Sequence, residues 1–321
     1  MNQYIGHPSQ LFGMEEHQLT RGKGKGLRLI EIHNGKGLDL CVSPDRCADI
    51  PRLRYKGINL SYMNPCGYVA PAFYDKEGAN FLNSFTAGFL STCGLQNVGT
   101  PNTIDGVSYG LHGSIANTPC ENYSFYEKDG TLIVEAFIRD EVIFGRQMTL
   151  TRRIFVSTEE NSMRIEDTVE NTGSHDEPLY LLYHMNMGYP LLDEDSIVDI
   201  KSTKVIGRNQ HATDDIKNWM HMEKPTQDYE ERCYYHSFEG VEGYAAITQP
   251  KLGIKLEIRF DPQNLDYFTQ WKMMGVRDYV LGLEPGNTLP EGRHIMHEKG
   301  LEKILKPGQK KTFIVNIKVS G

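Results

Sequence analysis

The sequence predicts an all-β fold, a large antiparallel β-sandwich with a few short helices. Three observations carry this expectation. Apolar and polar residues alternate with period two in segment after segment, turn residues separate those segments at short intervals, and segments of helical period are few. The 321 residues suffice to bury a substantial core. No linker, composition break or fixed-period repeat divides them, so one domain over residues 1–321 is expected.

Near the amino end, "LRLIEIH" (27–33) and "GLDLCV" (37–42) read as a strand pair around the turn "NGKG". The preceding "RGKGKG" has the glycines of a phosphate loop but no helix pattern after it, so it reads as a hairpin turn. "ANFLNSFTAGFL" (79–90) spaces Phe81, Phe85 and Phe89 four apart and predicts a short helix lying on the sheet. "TLIVEAFI" (131–138) and "TLTRRIFV" (149–156) are strands. In "MRIEDTVE" (163–170), Met163, Ile165 and Val169 alternate with Arg164, Glu166 and Thr168, as in a sheet with one dry face. "PLYLLYHM" (178–185) is the most apolar strand. "TDDIKNWMHM" (213–222) predicts a second short helix, and the polar "HMEKPTQDYEERCYYH" (221–236) a solvated loop. "GIKLEIRF" (253–260) and "KTFIVNIKV" (311–319) close the set with clean alternation.

A net charge of −8 provides no one-faced basic field, so neither nucleic acid nor an anionic membrane surface is an expected partner. No segment is long and apolar enough to span a bilayer. The amino-terminal residues lack the basic-then-apolar pattern of an export signal, and no two of the six cysteines form Cys-x-x-Cys. Reduced, mostly buried thiols in a cytoplasmic protein are expected, and that reading outweighs a nucleophilic Cys47.

Ionisable residues in apolar strands are informative, because burying them is costly unless they are paired or used. His184 stands in the most apolar strand, with Asn186 two residues on and therefore on the same face. Glu284 ends the apolar run 279–283, just before Pro285, where it can face a cleft or open solvent. Gln270 and Lys272 share one face of "LDYFTQWKMMG" (265–275), Trp271 the other, and read as ligand donors or as an exposed edge. Arg46, between Asp45 and Asp49, is a donor or half of a surface ion pair. Together these groups meet the needs of acid–base chemistry on a polyhydroxylated ligand.

In this order, the segments "PDRCADI" (44–50), "GFLSTCGLQNVG" (88–99), "YGLHGS" (109–114), "YHMNMGYPLLDE" (183–194) and "LGLEPGNT" (281–288) resemble the aldose 1-epimerase, or galactose mutarotase-like, superfamily. The closer likeness is to its branch known as a domain of unknown function, type 4432. The resemblance implies the galactose mutarotase-like supersandwich. It also implies roles: His112 and Arg46 bind the sugar, His184 is the general acid and Glu284 the general base. It departs at "YHMNMGY", where relatives write the second histidine differently. The sugar-binding aspartate has only Asp193 and Asp195 as candidates.

The implied activity is interconversion of α and β anomers, with ionised Glu284 taking the C1 hydroxyl proton while protonated His184 donates to the ring oxygen. Neither cofactor nor metal is required. Asn186, Gln270 and Lys272 are expected to help hold the substrate. The expected partners are a small carbohydrate and, for assembly, a second copy in a homodimer. Two readings stand beside this one. One is a non-catalytic sugar-binding protein. The other is a metal-dependent isomerase or lyase built on His112, His184 and Glu284. For a phosphorylated sugar, Arg46, Arg54, Lys272 and Arg277 are the cations to gather.

Overall fold

The computed structural model describes residues 3–321, and its framework is two large antiparallel sheets. The larger has eleven strands. Its path runs Gly13–Gln18, Arg28–His33, Leu38–Ser43, Asp49–Tyr55, Leu90–Leu95, Tyr180–Met187, Tyr279–Gly286, Tyr267–Met274, Arg232–Ser237 and Lys204–Gly207, with Ile58–Asn59 attached to Asp49–Tyr55. The smaller has eight, in the order Asn122–Lys128, Thr131–Glu141, Gln147–Ser157, Ser162–Asn171, Lys310–Ser320, Ile254–Phe260, Gly243–Gln249 and Ile197–Ile200.

The alternation read from the sequence is the burial pattern of the strands. Along Ser162–Asn171, every second residue is buried, from Met163 to Asn171. Tyr180–Met187 is buried along its whole length, which explains its continuous apolar run: both faces of that strand are covered. One apolar cluster fills the space between the sheets, joining Ile50, Leu90 and Met185 of the larger to Ile154, Ile165 and Val315 of the smaller.

A charged group sits inside this core. Arg152 is fully buried, and its guanidinium donates to Asp167 (2.6 and 2.9 Å), Asp49 (2.8 Å), Thr92 Oγ1 (2.8 Å) and the Cys47 carbonyl (3.0 Å). Tyr183 completes the set by donating its hydroxyl to Asp167 (2.9 Å). A guanidinium with two carboxylates and every donor used is an arrangement in which buried charge is tolerable.

Helices are short, as expected, and occupy only parts of the two stretches that predicted them. Only Asn80–Asn83 of the 79–90 stretch is helical, as a single 3₁₀ turn. Ala87 and Gly88 then take positive φ (58° and 68°), and Gly88 lies so close to Pro51 that a Cβ would stand 2.5 Å from its Cα. Close backbone contact, not helical winding, sets the path there. The stretch 213–222 holds the end of helix Gln210–Asp214 and a 3₁₀ turn at Ile216–Asn218. The end of the expected loop 221–236 is a correction. Arg232–Ser237 is a strand of the larger sheet, with Cys233, Tyr234, Tyr235 and His236 buried. All six cysteines are free thiols and five are buried. Among the described residues no helix is long and apolar enough to cross a membrane.

Candidate functional site

Strand register assembles the site. Tyr180–Met187 pairs with Tyr279–Gly286 through Leu182↔Gly286 and Asn186↔Gly282, so His184 stands directly across from Glu284. The next strand pairs Thr269 with Glu284 and Trp271 with Gly282, and the one beyond pairs Tyr235 with Thr269 and Cys233 with Trp271. Cross-strand partners share a face. His184, Glu284, Thr269, Trp271 and Cys233 therefore line one patch on the face of the larger sheet turned away from the core.

Loops close over that patch and leave a cavity of about 230 Å³ that opens to solvent. The 3₁₀ turn and its continuation contribute Phe81, Leu82 and Phe85; the segment after Leu90–Leu95 contributes Gly99 and Thr100; Leu111 and His112 form another wall, and Arg208 and Glu231 stand beside the sheet. Aromatic rings surround His184, with centroids 5.3 Å away for Phe85, 5.3 Å for Trp271 and 5.4 Å for His112. Flat apolar walls around a few polar groups are what a ligand with both apolar and hydroxyl faces requires.

His112 has φ of 59°, in the left-handed region, and its backbone is pinned by bonds from Gly94 N (2.9 Å) and to the Gly99 carbonyl (3.0 Å). Its Nδ1 accepts from the Gly99 amide at 3.3 Å. The neutral ring therefore carries its proton on Nε2, as a donor. A non-glycine residue held in this conformation at a cavity wall marks a position fixed by more than local preference.

Glu284 is 2 % exposed, and its carboxyl folds back over Gly282, where a Cβ would stand 2.2 Å from Oε1. Glycine at 282 is what gives the carboxyl room. Oε1 lies 3.2 Å from His184 Nδ1 yet has no hydrogen-bond partner. Burial raises the Glu284 pKa well above the ordinary carboxylate value, the charge of Glu231 adds to this, and Arg208 opposes it. Burial also lowers His184 to about 4, against a smaller upward effect of its bond with Asn186. His112 is lowered too, by burial first and then by His184 and Arg208. These directions oppose the protonation states inferred from the resemblance: the empty site favours a neutral carboxyl facing a neutral imidazole.

Of the seven expected site residues, the cavity gathers His112, His184 and Glu284. Asn186 is fully buried behind His184 and spends its amide on that residue, so it is a support and not a ligand contact. Gln270 and Lys272 are corrections. They share a face as expected, but it is the other one. Gln270 bonds the Trp219 carbonyl (2.8 Å) and His236 (3.2 Å), while Lys272 pairs with Glu223 (2.7 Å). Arg46 is the third correction. Only 4 % exposed, it donates to the Val69 carbonyl and lines a separate small space with Ser43, Asp49 and Tyr68. Asp193 accepts from Gln249 (2.6 Å) and Asp195 pairs with Lys251, both outside the cavity. Arg54 and Arg277 are exposed and also outside it.

Sequence reasoning missed Trp271, Arg208 and Glu231. Trp271 donates its indole N–H to Glu231 at 2.7 Å, which fixes the ring. Arg208 reaches Glu291 at 3.4 Å, and Glu291 also accepts from Tyr235. Trp271 had a signal, as the aromatic residue opposite in parity to Gln270 and Lys272. Arg208 and Glu231 lie in polar stretches and had none.

The family model described as domain of unknown function, DUF4432, matches residues 24–319. The chain belongs to that family. No protein of curated function matches the sequence. Among solved structures, this DUF4432 chain is similar to a candidate aldose 1-epimerase of Klebsiella pneumoniae, with 24 % identity and a TM-score of 0.89 over 96 % of this chain and 83 % of that one. A galactose mutarotase-like protein from Clostridium acetobutylicum is 14 % identical, with a TM-score of 0.70 over 97 % and 99 % of the two chains. A galactose 1-epimerase from Lactobacillus acidophilus is 13 % identical, with a TM-score of 0.66 over 96 % and 99 %. At these identities the likeness is one of fold, and the fold is the galactose mutarotase-like sandwich.

Proposed function

We propose that the protein interconverts the α and β anomers of an uncharged aldose by opening and reclosing its ring. One observation carries this reading: His184 and Glu284 face each other across adjacent strands, 3.2 Å apart, at the floor of a cavity walled by aromatic rings. Ring opening takes one proton from the C1 hydroxyl and delivers one to the ring oxygen. Two proton carriers in one buried place, holding one transferable proton between them, meet that requirement without help from solvent. His112 Nε2–H supplies a donor for a sugar oxygen, and Phe81, Phe85 and Trp271 supply apolar faces for the ring.

The charges around the cavity favour a substrate without phosphate. Arg208 is its one lining cation among the described residues. That cation already has Glu291 beside it, and Glu231 adds a negative charge. Arg46, Arg54, Lys272 and Arg277, the cations a phosphate would need, are elsewhere. The test is anomer exchange by proton NMR over a panel of free and phosphorylated aldoses, with chelator-treated protein. Faster exchange of at least one free aldose is expected, with its 6-phosphate slower. Sugar-dependent thermal stabilisation with no acceleration of any aldose would instead establish a binding protein.

A further inference from the structure

We infer that Asn186 is a positioning residue that locks His184 in the Nδ1–H tautomer, so that His184 enters the reaction as the base, through Nε2, and Glu284 as the acid. This rests on the anomerisation reading above and assigns its proton traffic.

The orientation of the Asn186 amide decides the tautomer. Its Nδ2 donates to the His184 carbonyl at 2.9 Å, and a carbonyl can only accept. The reverse orientation would set two acceptors against each other. Asn186 Oδ1 therefore faces His184 Nδ1, at 2.7 Å, and must accept. The proton of the neutral ring is thus on Nδ1, and Nε2 keeps its lone pair. Asn186 is fully buried and uses both ends of its amide on this one histidine.

The same proton explains the bare Glu284 oxygen. His184 Nδ1 has one hydrogen in the neutral ring, and Asn186 holds it, so Glu284 Oε1 at 3.2 Å goes without a bond. An ionised carboxylate in that position would be charged, buried and bare, with Glu231 adding repulsion. A protonated carboxyl instead carries a hydrogen to give. The other titratable groups around His184 are His112, whose ring centroid is 5.4 Å away, and Arg208, Glu231 and Cys233 on the cavity walls. Burial, acting on both partners, favours the same neutral pair.

The steps balance. The C1 hydroxyl proton passes to His184 Nε2 as the C1–O1 double bond forms and the bond from C1 to the ring oxygen breaks. The Glu284 carboxyl proton passes to that ring oxygen. The open-chain sugar then sits beside an imidazolium and a carboxylate. After rotation about C1–C2, closure on the other face of the carbonyl returns both protons and restores the neutral pair.

The experiment is nitrogen-15 NMR of the histidine rings, with His184 assigned by its absence in His184→Gln, combined with pH–rate profiles of the wild type and Asn186→Asp. At pH 7 the wild type should show a protonated Nδ1 and a bare Nε2. In Asn186→Asp, a carboxylate beside Nδ1 should favour the imidazolium. The acidic limb of kcat/KM should then rise by at least ~1 pH unit, a tenfold gain in proton affinity. A wild-type ring protonated on Nε2, or charged at pH 7, overturns the inference, as does a charged ring in Asn186→Asp with an unmoved acidic limb. If no aldose is turned over, the anomerisation reading fails and the base and acid roles fall with it, while the ring spectra still decide the tautomer lock.

Discussion

Two buried polar groups lie on opposite faces of the same strands, and they are treated differently. Tyr183 points into the core and joins Arg152, Asp167, Asp49 and Thr92; His184, the next residue, points outward and joins Glu284, His112 and Asn186. In the inner group every guanidinium donor has an acceptor, and the one cation is shared between two carboxylates. In the outer group a carboxyl oxygen is left without a partner, and a cavity is kept open above it. A buried polar group with all its bonds made stabilises and specifies the fold, whereas one with a bond left over at the floor of a cavity is available to a ligand. Burial alone does not separate the two.

That contrast can be broken from either side. The largest effect should come from the inner group: Arg152→Met leaves Asp167 and Asp49 buried and uncompensated and should cost about 3–5 kcal/mol in denaturant unfolding. A loss below about 1 kcal/mol would mean the group is not structural. Next is Glu284→Gln in the outer group, which should slow anomer exchange at least ~10²-fold while leaving the unfolding midpoint unchanged or raised. Third, Gly282→Ala places a methyl group where the Glu284 carboxyl lies and should slow exchange by up to ~10²-fold in a folded protein. A wild-type rate there would show that the carboxyl position does not matter. Lys272→Met should change the rate per folded molecule less than ~3-fold, because Lys272 points away from the cavity.

A further comparison concerns pH. Burial lowers both His184 and His236 from 6.5 to about 4. Between those values the unfolded chain protonates these two histidines and the native state does not, so their contribution lowers stability as pH falls through that window, while the raised Glu284 acts in the opposite direction. Thermal unfolding of wild type and His184→Gln at a series of pH values should show the wild type losing more stability than the variant as pH falls from 6.5 to 4.

Most of the sheet framework was legible in the sequence, because period-two alternation reports burial directly, as in Met163, Ile165 and Val169. The same alternation shows that Gln270 and Lys272 share a face opposite Trp271, but parity has no sign. Which face meets the cavity is set by the pairing of Thr269 with Glu284, a contact between strands. Arg46 was expected at the sugar from resemblance, with a surface ion pair to its flanking aspartates as the other reading, and it is neither at the cavity nor at the surface. Cys47 and Ala48, both at positive φ (55° and 52°), instead turn the chain there and leave Arg46 buried. The Phe81, Phe85 and Phe89 spacing suggested a helix, but two of those rings line the cavity and the third is in the core. His184 and Glu284 stood out as ionisable residues in apolar strands, and their roles, with that of His112, came from resemblance; their meeting depends on strand order, which no local pattern encodes.

The central claim is that the floor of this cavity performs proton transfer at C1 of a sugar. The most direct measurement is a structure of Glu284→Gln soaked with the aldose that the wild type turns over. The account predicts the sugar between Trp271 and the Phe81–Phe85 wall, with its C1 hydroxyl and ring oxygen each within hydrogen-bond reach of position 184 or 284. A sugar bound elsewhere, or one in the cavity with C1 directed to solvent, would contradict it.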